Sequence, residues 1–135
     1  RLYPLAGRDG IGLIDDSYNA NPDSVAAAIE VLACAPGRRF LVLGELAELG
    51  PGTDAFYRGI GEQAKTAGID SLYALGRAGL AAESFGPGGR RFEHLQRLID
   101  DLHAELDAGD RVLVKGSRSA AMERVIEAFV VPEDN

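Results

Sequence analysis

Cysteine, lysine, histidine and tryptophan are scarce or missing in this chain, and each shortage removes a class of function. A single cysteine, Cys34, excludes a disulfide framework and a cysteine-rich metal cluster. Its place near a helix end reads as a small packing residue. The two histidines, His94 and His103, fall on a charged helical segment and read as surface residues. Lys65 and Lys115 are the only lysines, and the formal net charge is -7, so nucleic acid finds no electrostatic footprint. No apolar run approaches the ~20 residues of a membrane-spanning helix, and no secretory leader is visible. These features fit a cytoplasmic location. The sequence contains neither a Gly-Lys-Ser/Thr phosphate loop nor a serine in a nucleophile-elbow setting.

What is present is an ordinary globular composition, 46% apolar and 26% charged over 135 residues, which predicts one domain. The domain is expected over residues 1–131, with a frayed tail at 132–135. The chain begins Arg1-Leu2-Tyr3-Pro4 without an initiator methionine, which reads as a domain cut from a longer protein. Leu2 to Leu5 and Ile11 to Ile14 are short apolar runs separated by turn chemistry, the pattern of an N-terminal antiparallel hairpin. Asn21 is placed to cap a helix whose first position is Pro22 and whose apolar residues, Val25, Ala28, Ile29 and Leu32, recur at helical spacing. Phe40 to Leu43, Ser71 to Leu75 and Arg111 to Val114 read as strands buried on both faces, and Arg91-Phe92 as a brief strand. Helices are expected after Thr53 as N-cap, from about Gly79 to Ser84, over Leu95 to Leu106, and around Met122 to Phe129. Strands alternating with helices imply an α/β fold, a mostly parallel sheet with helices on both faces and right-handed crossovers.

In such a sheet the carboxyl ends of the strands share one rim. Four exits there are polar or glycine-rich: Asp15 to Pro22, Gly44 to Gly50, Gly76 to Gly79, and Lys115 to Arg118. They are expected to meet and form a ligand cleft. Asp16 can accept hydrogen bonds from the vicinal hydroxyls of a ribose; alternatively, Asp15 and Asp16 serve only the turn and the following helix. Asn19 and Asn21 can read an amide-bearing base or a peptide, or act as turn and cap residues. Lys115 and Arg118, with the amides of the next helix start, form a ready site for a carboxylate or phosphate, or a solvated turn. Arg8 either swings over the same cleft or is a surface charge. Glu45 or Glu48 either meets a substrate ammonium or balances the cations. The stretch Gly59-Ile60-Gly61-Glu62-Gln63-Ala64 mimics a dinucleotide fingerprint, but it lies in a helical pattern and not in a strand-to-helix turn.

The octapeptide Asp15-Asp16-Ser17-Tyr18-Asn19-Ala20-Asn21-Pro22 resembles the signature of the C-terminal domain of the Mur ligases. The resemblance covers nearly the whole chain and is to the branch that adds D-alanyl-D-alanine. Gly7-Arg8, the segment from Leu41 to Gly50 and the turn Val114-Lys115-Gly116-Ser117-Arg118 follow in matching order, with Leu46 standing where methionine is expected. The resemblance implies a Rossmann-like domain of a three-domain, ATP-dependent amide ligase. Its partners would be the N-terminal and central domains of the same chain, UDP-N-acetylmuramoyl-tripeptide and D-alanyl-D-alanine. ATP and Mg2+ would be held mainly by the central domain, which carries the phosphate loop, so residues 1–135 alone are expected not to turn over. By resemblance Asp16 meets ribose and Arg8 the ATP phosphates, while Tyr18 and Asn19 line the nucleotide side. Asn21, Glu48, Lys115, Ser117 and Arg118 fall on the dipeptide side. A free-standing nucleotide- or ligand-binding module and a glutamate-adding ligase such as a folylpolyglutamate synthase are the alternative readings.

Overall fold

The computed structural model describes residues 3–17, 21–46, 50–116 and 120–131, with the side chains of Tyr3 and Pro22 left aside. Among these residues six strands form one sheet: β1 (Tyr3–Ala6), β2 (Gly12–Asp16), β3 (Arg39–Leu43), β4 (Ser71–Leu75), β5 (Gly89–Phe92) and β6 (Arg111–Lys115). Five helices connect or follow them: α1 (Pro22–Ala33), α2 (Thr53–Thr66), α3 (Gly79–Phe85), α4 (Leu95–Glu105) and α5 (Glu123–Phe129). The order across the sheet is β1-β2-β6-β3-β4-β5. The β1–β2 pair is antiparallel, as expected of the hairpin, and the other neighbours are parallel.

Alternation along the strands divides the core into two layers. Leu41, Leu43, Leu72, Ala74 and Leu113 face one side and pack with Ile29 and Leu32 of α1, Ile60 of α2 and Phe85 of α3. Phe40, Val42, Tyr73, Val112 and Val114 face the other and pack with Leu98 and Leu102 of α4 and Val125 and Phe129 of α5. Each central strand therefore reads as a continuous apolar run, because both faces are covered. The first three helices share one face because the chain advances steadily from β2 to β5. The return from β5 to β6, inserted between β2 and β3, puts α4 on the opposite face, as a right-handed crossover requires.

Element boundaries differ from expectation in places, for physical reasons. β2 runs on to Asp16 because β6 continues the ladder, pairing Asp15 with Val114 and Asp16 with Lys115. Thr53 is not the N-cap of α2; that position is Gly52, in the left-handed region at φ 86°, and the Thr53 hydroxyl donates to Gly50 O at 2.6 Å. Gly59 to Ala64 lies inside α2, as the helical pattern predicts. Gly61 has a packing role there. A Cβ on it would lie 2.1 Å from Ala81 O and 2.9 Å from Phe85 N, so its absence lets α3 approach.

Candidate functional site

The parallel strands β2, β6, β3 and β4 are neighbours, so all four polar exits open on one rim. From β3 the chain leaves toward the α1–α3 face, and from β6 toward the α4–α5 face. Adjacent strands that send their connections to opposite faces leave a crevice between them, the usual ligand site of an open parallel sheet. Here the crevice floor is tight. Gly44 N donates to Lys115 O at 2.8 Å. A Cβ on Gly44 or Gly116 would lie 2.4 Å or 2.7 Å from the Met122 Cγ, so a side chain at either exit would have to displace Met122.

Register builds the polar centre. Asp16 and Lys115 are direct partners across β2 and β6, and Leu43 is the partner of Lys115 across β3. Their side chains point to the α1–α3 face, where the Lys115 ammonium lies 2.8 Å from Asp16 Oδ2. Lys115 is fully buried and Asp16 is 3% exposed. The expectation of an open cation at Lys115 is thereby corrected: β6 extends one residue further than predicted, and the ladder turns this side chain inward onto Asp16. Asp15 points to the other face and accepts from Ser17 N at 3.1 Å and Ser17 Oγ at 2.6 Å. That contact pins the start of the octapeptide turn.

Asn21 caps α1 as expected. Its Oδ1 accepts from Ser24 N at 2.9 Å, and Ser24 Oγ takes the Asn21 N–H at 3.1 Å, a reciprocal capping box.

The β3 exit is clamped from two directions. Leu46 N donates to the buried hydroxyl of Tyr57 at 2.9 Å. Glu45 Oε2 accepts from Arg77 N at 3.0 Å, joining this exit to the 3-10 turn Gly76–Ala78 that leaves β4. Arg77 also pairs with Asp54 of α2 at 2.8 Å. Burial pushes the Tyr57 phenol above its usual range, and Glu45 adds to the rise against the opposing Leu46 hydrogen bond. Tyr57 was not among the expected site residues. Its signal was the spacing to Ile60, Gly61 and Ala64, the face that α2 buries.

Arg8 is not brought to this rim. It opens an exposed turn, Arg8–Gly10, between β1 and the start of β2, so the length of β2, about 13 Å, separates it from Asp16. The antiparallel register instead brings Tyr3, the first residue of β1, beside Asp15. Tyr18, Asn19, Glu48, Ser117 and Arg118 lie outside the described residues. His94 precedes α4 at its N-cap and His103 lies against Phe129 with 5.9 Å between ring centroids; both are exposed, as expected. Cys34 is exposed and not packed; it is the C-cap of α1, just past the helix end at Ala33.

Among known proteins, residues 1–118 match the sequence profile of the family described as Mur ligase, glutamate ligase domain. The chain is 43% identical over 131 residues to the UDP-N-acetylmuramoyl-tripeptide–D-alanyl-D-alanine ligase of Escherichia coli, covering 96% of this chain and 29% of that protein. It is 35% identical over 132 residues to the enzyme of the same name from Haemophilus influenzae, covering 93% and 29%. A crystal structure of MurF ligase from Thermotoga maritima in complex with ADP superposes with a TM-score of 0.77 at 28% identity, covering 95% of this chain and 29% of that one. A MurF structure from Acinetobacter baumannii gives 0.80 at 30% identity, covering 94% and 29%. The chain therefore spans less than a third of the length of the ligases named here. With its rim of converging strand exits and a profile match over 118 of its residues, this chain belongs to the Mur ligase family, as its C-terminal, glutamate ligase domain.

Proposed function

We propose that this domain serves an ATP-dependent amide ligase that joins D-alanyl-D-alanine to UDP-N-acetylmuramoyl-tripeptide in the cytoplasmic stage of peptidoglycan synthesis. One observation carries the reading. Asp16, Lys115 and the clamped β3 exit converge at the switch point of the sheet, in a chain 43% identical over 131 residues to the E. coli ligase of that name. In the proposed reaction ATP converts the tripeptide carboxylate to an acyl phosphate. The dipeptide amine then attacks the acyl carbon, a tetrahedral intermediate forms, and phosphate leaves.

This chain contributes positioning and charge rather than covalent chemistry. Asp16 accepts from the ribose hydroxyls of ATP, and Tyr18 and Asn19 flank the nucleotide. Asn21 fixes the start of α1 behind them. Glu48, Ser117 and Arg118 take the dipeptide side, with the acceptor carboxylate at Arg118 rather than at the buried Lys115. Arg8 can meet the ATP phosphates only if they lie beyond this rim, toward the opposite end of β2. Among the described residues no group of three or more His, Cys, Asp or Glu side chains is placed to hold a metal ion. The Mg2+ of the reaction is assigned to the central domain that the family resemblance implies, and no step is routed through it here.

The test is an ADP-release assay of the full-length protein with UDP-N-acetylmuramoyl-tripeptide, offering D-alanyl-D-alanine or glutamate as acceptor. Release with the dipeptide and none with glutamate is expected. Release with glutamate alone points to the folylpolyglutamate-type reading. Saturable nucleotide binding without turnover on either acceptor points to a binding module.

A further inference from the structure

We propose that Lys115 is a positioning residue for the nucleotide: it fixes the carboxylate of Asp16 at the rim rather than binding the acceptor dipeptide. The inference rests on the proposed contact of Asp16 with ribose and assigns the buried cation behind it. The two residues are register partners on adjacent parallel strands, so their backbones hold the side chains on the same face at fixed separation. The ammonium is 2.8 Å from Asp16 Oδ2 with no exposed surface of its own. It therefore presents no surface to a carboxylate in the cleft, whereas Asp16 keeps 3% of its surface exposed.

Burying such a pair is a poor way to gain stability, because desolvating both charges offsets most of their attraction, and apolar side chains of the same size fill the space as well or better. What the pair supplies is a carboxylate held in one orientation. The backbone of Lys115 adds to this, since its carbonyl accepts from Gly44 N at the β3 exit. One residue thus ties the exits of β2, β6 and β3 together, and Asp16 is registered against all three.

The experiment uses the full-length protein with Lys115→Met, Asp16→Asn and the double variant Asp16→Asn/Lys115→Met. The single Lys115→Met change is expected to raise the KM for ATP about tenfold or more, the usual cost of disturbing a charged hydrogen-bonding group. The KM for D-alanyl-D-alanine should stay unchanged. The double variant, with both charges gone, is expected to recover thermal stability relative to Lys115→Met and to keep the raised KM for ATP seen in Asp16→Asn. Recovery of fold without recovery of ATP affinity separates positioning from a structural role.

A rise in the KM for the dipeptide with ATP unaffected would overturn the proposal, as would a double variant that regains the wild-type KM for ATP. A folded Lys115→Met enzyme with both constants unchanged would overturn it equally. Should Lys115→Met alone fail to fold, the double variant carries the comparison, because it lacks the ammonium and must still bind the dipeptide normally. Should the wild-type protein turn over no acceptor, the reaction proposed above fails. The dissociation constant for ADP across the same variants then decides the role of Lys115 by itself.

Discussion

Replacing Gly61 by alanine tests the packing that seats α2 and α3 beneath the rim. The added Cβ would stand 2.0 Å from Ser84 Oγ, 2.1 Å from Ala81 O and 2.9 Å from Phe85 N. Two of the three obstacles are backbone, so no rotamer change relieves them, and α3 must retreat by about 1 Å in a close-packed interior. Ser84 cannot swing away without loss, since its hydroxyl bridges the two helices, donating to Arg58 O at 2.7 Å. Overpacking of this kind costs about 3 kcal/mol, and the gain in helix propensity from glycine to alanine returns about 1 kcal/mol. The net loss is about 2 kcal/mol, which lowers the melting temperature of a domain this size by roughly 6–8 °C. Gly59, two residues earlier on the same helix, has nothing within 4 Å of its would-be Cβ. Gly59→Ala should therefore stabilise by about 0.5–1 kcal/mol. Circular dichroism melts of the two variants, with hydrogen exchange locating the change in α2 and α3, give the answer. Shifts of the same sign and size would refute the close approach of the helices at Gly61.

Four further outcomes are expected. Tyr57→Phe leaves the Leu46 N–H without its acceptor and should cost about 1–3 kcal/mol, with faster hydrogen exchange at Leu46 as the local readout. Burial is the leading cause that raises the phenols of Tyr57 and Tyr73 above the usual 10.0, so both stabilise the fold below that pH. Stability should then fall as pH climbs past 10 toward their folded-state values, because the unfolded phenols lose their protons first; urea titrations between pH 9 and 11 should show the slope flattened in Tyr73→Phe. Asp110→Ala removes an acceptor from Arg38 Nε at 3.1 Å and Nη2 at 2.7 Å and from Asp107 N at 2.7 Å, and should cost about 2–3 kcal/mol in urea unfolding even with the arginine partly exposed. Residues 1–135 on their own should release no ADP with tripeptide and dipeptide, a result read directly in the coupled assay; turnover would contradict the three-domain reading.

Much of the architecture was legible because local and global signals agree. The alternation of apolar strand runs with amphipathic segments led to the right fold class, and the rule that parallel strands share a carboxyl rim brought positions 16, 45 and 115 together. Asn21 was readable as a cap because its side-chain chemistry is local. What escaped is whatever depends on partners distant in the chain. Nothing around Asp16 or Lys115 in sequence says that β6 slots between β2 and β3, so the two looked like independent surface groups when they are one buried pair. Arg8 looked close to the cleft because it is near Asp15 in sequence, yet the hairpin turns it to the far end of the strand. Tyr57 was hidden for a related reason: a phenol in an amphipathic stripe reads as core, and its polar tip finds its use only through the loop that folds over it.

The pairing of Tyr3 with Asp15 sets the geometry of any rigid-body movement. A polypeptide joined ahead of Tyr3 would enter at a point one strand spacing, about 5 Å, from the backbone of Asp15, and a movement hinged there would turn about that point. Displacement grows with radius, so residues beside the pivot trace short arcs. The turn at Arg8, about 13 Å down the strand, travels between two and three times as far. Rotation about this point would change the angle at which Asp16 is presented far more than its location, with the hairpin as axle and the opposite end of the sheet at the outer radius.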